Sequence, residues 1–370
     1  MPRSTAARVA SGVLALAVVS GLASVSWVWA RHDAEPLPNL VLATGSTGGV
    51  YHVYGLGFAR ILEERTDAEI TTVPTAASLE NINVVVGGDA DVGFSLADVA
   101  AAAVRGDPPF EGPMPASALA RIYDNRTHLI VRADSPVERV EDLTGRVVST
   151  GARDSGTEFI ADRLLDVAGV DPEDDIDRRP MDLVDAAQAL TDDEIDAFFW
   201  SGGLPTEAVT ELAASTDVRL LDLGRYVEDL RAEHGDVYTE VSIPTGTYAG
   251  IPNVRTIGVP NLLVVADTMP DDVAESLTRL LFTSRPDLVH VHDAALQLNP
   301  RVAVATLPVP LHPGAAEYYR TEKTAYGATA HLPLALPNAR PTATRPAAPL
   351  RGPRPSPHNV RPAAPALAAT

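Results

Sequence analysis

At 370 residues the chain exceeds what one hydrophobic core usually supports, so a pair of globular lobes with accessory segments is expected. Its 29 basic against 49 acidic residues give a net charge of −20, which repels phosphate backbones and argues against nucleic acid, while 45% hydrophobic and 21% charged residues suit a folded soluble body. With no cysteine there is no disulfide, thiolate nucleophile, iron–sulfur cluster or zinc finger, and the single lysine, Lys323, lies too near the end of the patterned sequence to be a Schiff-base or P-loop lysine.

Arg3 and Arg8 precede an uncharged apolar run over residues 9–30, and Arg31, His32 and Asp33 follow it at once. A basic flank and a run of about the 20 residues that span a bilayer describe either a membrane anchor or, with small residues at Val28 and Ala30, a cleaved export signal. Both place the remainder outside the cytoplasm, so residues 1–38 are set apart as signal or anchor and linker.

From residue 39 to 323 short apolar runs alternate with amphipathic stretches, the signature of an α/β body with a mainly parallel sheet. Residues 39–43 read as a strand entering a Gly-rich turn, and residues 51–65 carry apolar side chains at helical spacing. A strand over 70–73, a helix over 78–86 opening at Ser78, and a strand over 90–95 complete the first block. After a strand at 128–131 and a turn at 140–143 the logic repeats. A strand over 146–149 and a loop punctuated by Asp154, Ser155 and Gly156 lead to a helix over 157–168, closed by Gly169. A helix over 182–190, a strand over 195–200, a helix over 205–214 and a strand over 218–221 follow. A strand over 255–265 and a helix over 271–282 return to the first style. This order predicts lobe 1 from residues 39–125 plus 248–326 and lobe 2 from 126–247, joined by crossings near 123–132 and 247–258. Residues 327–370 hold ten prolines, five arginines and no acid, and read as a disordered basic tail whose +5 leaves the rest at −25.

Catalytic templates find no purchase: HExxH, GxSxG, GxGxxG and GxxxxGK[ST] are all missing. His290, His292 and Asp293 form the one close histidine cluster, at a spacing wrong for one face of the helix predicted there, and the acid pairs Asp174/Asp175 and Asp192/Asp193 read as acidic surface. No catalytic residue, metal or cofactor is expected. Two glycine- and hydroxyl-rich turns stand out, Thr44-Gly45-Ser46-Thr47-Gly48-Gly49 and Gly151-Ala152-Arg153-Asp154-Ser155-Gly156-Thr157, each directly before a helix. A helix N-terminus offers unpaired N–H groups and about half a positive charge, and glycines let a ligand approach the backbone. If the lobes face each other, both helix ends point into one cleft, which suits a small carboxylate.

The run from Thr44 to Tyr51 resembles the opening strand and turn of the TAXI family, the extracytoplasmic solute receptors of TRAP transporters. Colinear similarities follow at Ser78-Leu79-Glu80-Asn81, at Gly87 to Gly93, at His128 to Ser135 with Asp142 to Gly145, and at Ser155-Gly156-Thr157-Glu158. Phe199 to Thr206, Ile243 to Tyr248 and Leu307 to Gly314 extend them. The resemblance implies a two-lobe periplasmic-binding-protein fold that closes on a solute and presents it to a permease driven by an ion gradient. It implies glutamate, glutamine or related dicarboxylates as ligands, and a monomer without chemistry of its own. Carried over by matched position, the binding residues are Gly48, Gly49, Tyr51, Ser78, Asn81, Ser155, Gly156, Thr157, Trp200, Gly202 and Tyr248. Leu96 and Ala97 stand where the family often has glutamine and serine, so the ligand is expected to be less polar or differently oriented. The competing readings are a transferase or lyase on the same fold, and a permease-free sensor or adhesion module.

Overall fold

The computed structural model describes residues 37–329. The apolar segment 9–30 and the tail beyond Thr329 lie outside the described residues. A compact unit ends at Tyr326, and of the unit Gly327–Thr370 only the close of a helix is described.

The first half runs β1 (Leu40–Ala43), α1 (Val50–Arg65), β2 (Ile70–Val73), α2 (Ser78–Gly87) and β3 (Val92–Leu96). Two elements follow that the sequence reading lacked, α3 (Ala97–Arg105) and most of the long strand β4 (Ala116–Arg132). The second half then repeats the order of the first as β5 (Val147–Ser149), α4 (Gly156–Val167), β6 (Asp177–Arg178), α5 (Leu183–Thr191) and β7 (Ala197–Gly202). The chain continues through α6 (Glu207–Ser215), β8 (Val218–Leu220), α7 (Val227–His234), β9 (Thr239–Ile243) and β10 (Val254–Ala266). It ends with α8 (Asp271–Thr283), α9 (Arg285–Val291), the short α10 (Pro300–Ala303) and α11 (Pro313–Thr329).

All ten strands join one sheet, in the order β2-β1-β3-β10-β4-β7-β5-β6, with β8 on β4 and β9 on β10. β1 pairs in parallel with β2 and β3, and β5 in parallel with β6 and β7, so each half is a three-stranded parallel unit built on its first strand. Central parallel strands covered on both faces need unbroken apolar runs, and β3 is buried at every position. Between the units lies the antiparallel pair β4–β10. This is the two-lobe α/β architecture expected.

The crossings follow from the pairing. β4 pairs with β10 as far as Arg126 and with β7 from Arg126 to Val131, so it passes between the two units at Arg126. β10 pairs with β9 over Val254–Gly258 and with β3 from Asn261, so it makes its own crossing between the units within 258–261. Tyr248, Ile251 and Val254 consequently pack with Leu183, Phe198 and Ala208 of the second half. A register shift between Pro260 and Leu262 places a bulge at that crossing.

One face of the sheet carries two separate cores. Tyr54, Phe58, Phe94 and Leu277 belong to the first half, and Leu190, Phe198 and Val209 to the second. On the other face a single apolar cluster spans both halves, from Val99 and Leu96 through Leu129, Val131 and Ile257 to Ile160, Leu164 and Leu230.

Candidate functional site

In a parallel βαβ unit the loops beyond the C-terminal strand ends hold ligands. Here the loops after β1 and β5 are the two glycine-rich turns, and they meet at one cavity of about 40 Å³. Its wall is built from four helix starts: Gly49, Val50 and Tyr51 of α1, Ala77 and Ser78 of α2, Ser155, Gly156 and Thr157 of α4, and Asp182 and Leu183 of α5. Leu96, Asn125, Phe199, Trp200, Ser201 and Gly202 complete it. The wall contains one acid, Asp182, and no basic side chain.

Each turn is shaped by its residue types. Gly48 has φ +83° and Gly151 φ +102°, which glycine adopts without strain. Ser155 Oγ accepts from Glu158 N at 3.0 Å while the Glu158 carboxylate accepts from Asp154 N at 2.8 Å, a reciprocal brace on the start of α4. Gly49 gives α1 no side-chain cap. Among the described residues no protein acceptor meets the amides of Val50, Tyr51, Gly156 and Thr157, as expected of the first turn of a helix.

The halves touch at the cavity. A Cβ on Gly156 would lie 2.5 Å from Ser78 Oγ and 2.7 Å from the Leu96 side chain, and one on Gly49 would lie 3.3 Å from the Trp200 ring. Glu80 N of the first half donates to Asp154 O of the second at 3.3 Å. This is a shut arrangement. About 40 Å³ compares with the ~10–15 Å³ that one enclosed water needs, so the cavity as shaped admits a few waters or an anion of a few heavy atoms, and a larger solute requires the halves to part.

Eight of the eleven sequence-derived residues form this wall: Gly49, Tyr51, Ser78, Ser155, Gly156, Thr157, Trp200 and Gly202. Three do not reach it. Gly48 faces an outer groove with Val53, Glu207 and His292. Asn81 is fully buried and spends its amide on Thr44 O at 2.6 Å and Phe94 O at 2.8 Å, with its carbonyl taking Thr75 Oγ1 at 2.6 Å, so it clamps the first turn from behind. Tyr248 sits behind the second-half wall. His128 Nδ1 donates to Arg126 O at 2.8 Å, which leaves Nε2 to accept from the Tyr248 hydroxyl at 3.1 Å, and that hydroxyl accepts from Thr206 N. Burial pushes the Tyr248 phenol up to about 12 and the His128 imidazole down to about 4. Thr206 Oγ1 in turn accepts from Trp200 Nε1 at 3.1 Å, so Tyr248 acts two contacts away, on the orientation of the indole. Arg153 is exposed and lines a separate outer groove.

The sequence reading missed Asn125, Ser201, Asp182 and the Met181 and Phe199 surfaces of the wall. Asp182 carried a usable signal: it caps α5 by accepting from Asp185 N at 3.0 Å, and a helix start in the second half at the place where Ser78 opens α2 in the first belongs at the same mouth. Leu96 lies on the wall, as its departure from the resembled pattern anticipated.

The model of a family described as the NMT1-like family matches residues 42–323. Among solved structures the chain is similar to the periplasmic aliphatic sulphonate binding protein SsuA from Escherichia coli, at 16% identity over 80% of this chain and 94% of that one, with a TM-score of 0.42. It is similar to a binding protein component of an ABC phosphonate transporter from Pseudomonas aeruginosa, at 12% identity over 80% and 98%, TM-score 0.49. A third is PhnD1 from Prochlorococcus marinus in complex with methylphosphonate, at 10% identity over 81% and 100%, TM-score 0.48.

Proposed function

We propose, for a chain that belongs to the NMT1-like family, the role of an extracytoplasmic solute-binding protein that takes a small carboxylate-bearing solute between its two halves. The observation that carries this reading is the convergence of four helix N-termini, two from each half, on one cavity. Unpaired amides and helix dipoles attract an anion without a formal positive charge, and only the shut form brings donors from both halves to the same solute. Binding therefore favours closure by the contacts that the open form lacks. The solute class is that implied by the sequence resemblance, glutamate, glutamine or a related dicarboxylate, and the delivery partner is a TRAP-type membrane permease. Export or anchoring by residues 9–30 belongs to the same proposal. The wall's hydroxyls suit binding more than catalysis: Ser155 and Asp182 are engaged as helix caps, and no histidine is among the lining residues.

Thermal-shift screening of the purified protein against amino acids, dicarboxylates, methanesulfonate, methylphosphonate and chloride tests it. A true ligand at a hundredfold excess over Kd stabilises by about 2.7 kcal/mol. A carboxylate or amino acid is expected to give the largest shift. A flat response to every anion and amino acid would reject the reading, and a response confined to sulfonate or phosphonate would reject its carboxylate part.

A further inference from the structure

Two buried asparagines, neither of them among the residues picked from sequence, join the two halves at the cavity, Asn125 on its wall and Asn261 outside the lining. Asn261 lies at the bulge of β10 and is fully buried, and Asn125, on the crossing of β4, is 3% exposed. Their amide orientations are set by main-chain carbonyls, which can only accept. Asn261 Nδ2 donates to Tyr123 O at 3.2 Å, and Asn125 Nδ2 donates to Ser201 O at 3.0 Å. Asn261 Nδ2 also donates to Asn125 Oδ1 at 2.7 Å. Asn261 Oδ1 is left as the acceptor facing the Tyr51 hydroxyl, and the phenol donates to it. On the far side Ser201 N donates to Thr157 Oγ1 at 3.1 Å. A line of hydrogen bonds thus runs from the mouth of α1 through both crossings to the mouth of α4, and its direction is determined.

The direction has a chemical consequence. A phenol has one proton, and burial keeps the Tyr51 phenol protonated by raising its pKa. With that proton given to Asn261, the oxygen has only lone pairs for anything else; Ser78, whose Oγ accepts from Leu96 N at 3.0 Å, turns its own proton to one of them and leaves the other for a solute. Thr157 Oγ1 accepts from Ser201 and keeps its own proton to donate. We propose that Asn261 and Asn125 are positioning residues that make Tyr51 an acceptor, so that the solute must bring a hydrogen-bond donor, an amino or hydroxyl group, beside the anionic group held by the helix mouths. The preferred solutes are amino or hydroxy acids, and the matching keto or unsubstituted acids are disfavoured. This inference rests on the reading of the cavity as a small-carboxylate site.

The test measures dissociation constants of the full chain by calorimetry for two shape-matched sets: glutamate, 2-hydroxyglutarate, 2-oxoglutarate and glutarate, then alanine, lactate, pyruvate and propionate. A site arranged to accept from a ligand donor is expected to hold the donor-bearing members at least about tenfold more tightly than their partners. Asn261→Ala releases the Tyr51 proton, and the ratio is expected to fall to one or invert. A merely structural role would weaken all members alike and leave the ratio unchanged, which would overturn the proposal, as would equal binding of keto and hydroxy acids by the wild type. Tyr51→Phe, which retains the ring stacked on Phe94 at 5.1 Å, should erase the ratio and carries the test if Asn261→Ala does not fold. A solute-independent readout separates the two layers of the argument. The Tyr51 hydroxyl proton, assigned by its loss in Tyr51→Phe, should give a slowly exchanging downfield NMR resonance that shifts or vanishes in Asn125→Ala. Its absence in the wild type overturns the proposal. Its presence with no acid binding supports the hydrogen-bond line and sinks the carboxylate reading alone.

Discussion

The two glycine turns have similar compositions and occupy equivalent places, yet they are held differently. The turn before α4 is braced from within, by Ser155 and Glu158, and from its own half, by Ser201 N on Thr157. The turn before α1 has no side-chain cap and is held from outside, by Asn81 on Thr44 O and by Asn261 on the Tyr51 phenol. Glycine content alone does not distinguish a turn braced from within from one that depends on its neighbours for shape.

The largest expected effect tests the contact between the mouths. Gly156→Val places a branched side chain where a Cβ already meets Ser78 and Leu96, so the halves cannot close, and affinity for the best solute should fall at least a hundredfold, roughly 3 kcal/mol, in calorimetry. The equivalent change on the other side, Gly49→Ala, meets Ser46 O at 3.2 Å and the Trp200 ring at 3.3 Å and should cost about tenfold or less. Equal losses would erase the distinction drawn here.

The pH dependence sharpens it from behind the second-half wall. The folded value of His128, about 4, lies below the ~6.5 of a free imidazole, so as pH falls the unfolded chain takes up the proton first. The stability tied to the neutral ring is complete above about pH 6.5 and is lost as pH falls towards 4, up to about 3 kcal/mol. Urea unfolding of wild type and His128→Gln across that window should show a steeper acid slope in the wild type. Parallel slopes would mean that the ring is solvated.

Behind the first turn, Asn81→Ala removes the amide donor from two buried carbonyls, of which Thr44 O keeps Thr75 Oγ1 at 3.2 Å, and should destabilise by about 2 kcal/mol, leaving the relative affinities for different solutes unchanged. A change of solute preference would return Asn81 to the binding wall. The smallest effect is at the braced mouth: Ser155→Ala removes a helix cap worth about 1 kcal/mol, read in the urea midpoint.

Much of this organisation was legible in the sequence because it rests on local signals. The apolar strands, the glycine turns and Gly169, which has φ +74° after α4, all declare themselves within a few residues. What escaped depends on distant partners. Asp124, Asn125 and Arg126 break the apolar pattern of β4, yet they lie in mid-strand, where Asn125 donates to Ser201 O of β7 and Asp124 takes Arg121 and Arg126 of its own strand. The alanine-rich α3 follows β3 with no intervening loop, so its period merges into that of the strand. Asn261 drew no reading of its own inside the strand over 255–265, and its worth depends on Tyr123, Asn125 and Tyr51, the last of them 210 positions away. Asn81 and Tyr248 were expected to bind the solute, and the structure gives them other work. That work is to support the wall from behind, a distinction that spacing along the chain does not encode.

The apolar layer that runs uninterrupted beneath both halves has a mechanical consequence. It acts as the spine of a book: the pages part on one side only, and every degree of opening shears a packed seam from Val99 to Leu164. On the opposite face the cores of the two halves are separate, so a parting there divides no shared apolar cluster.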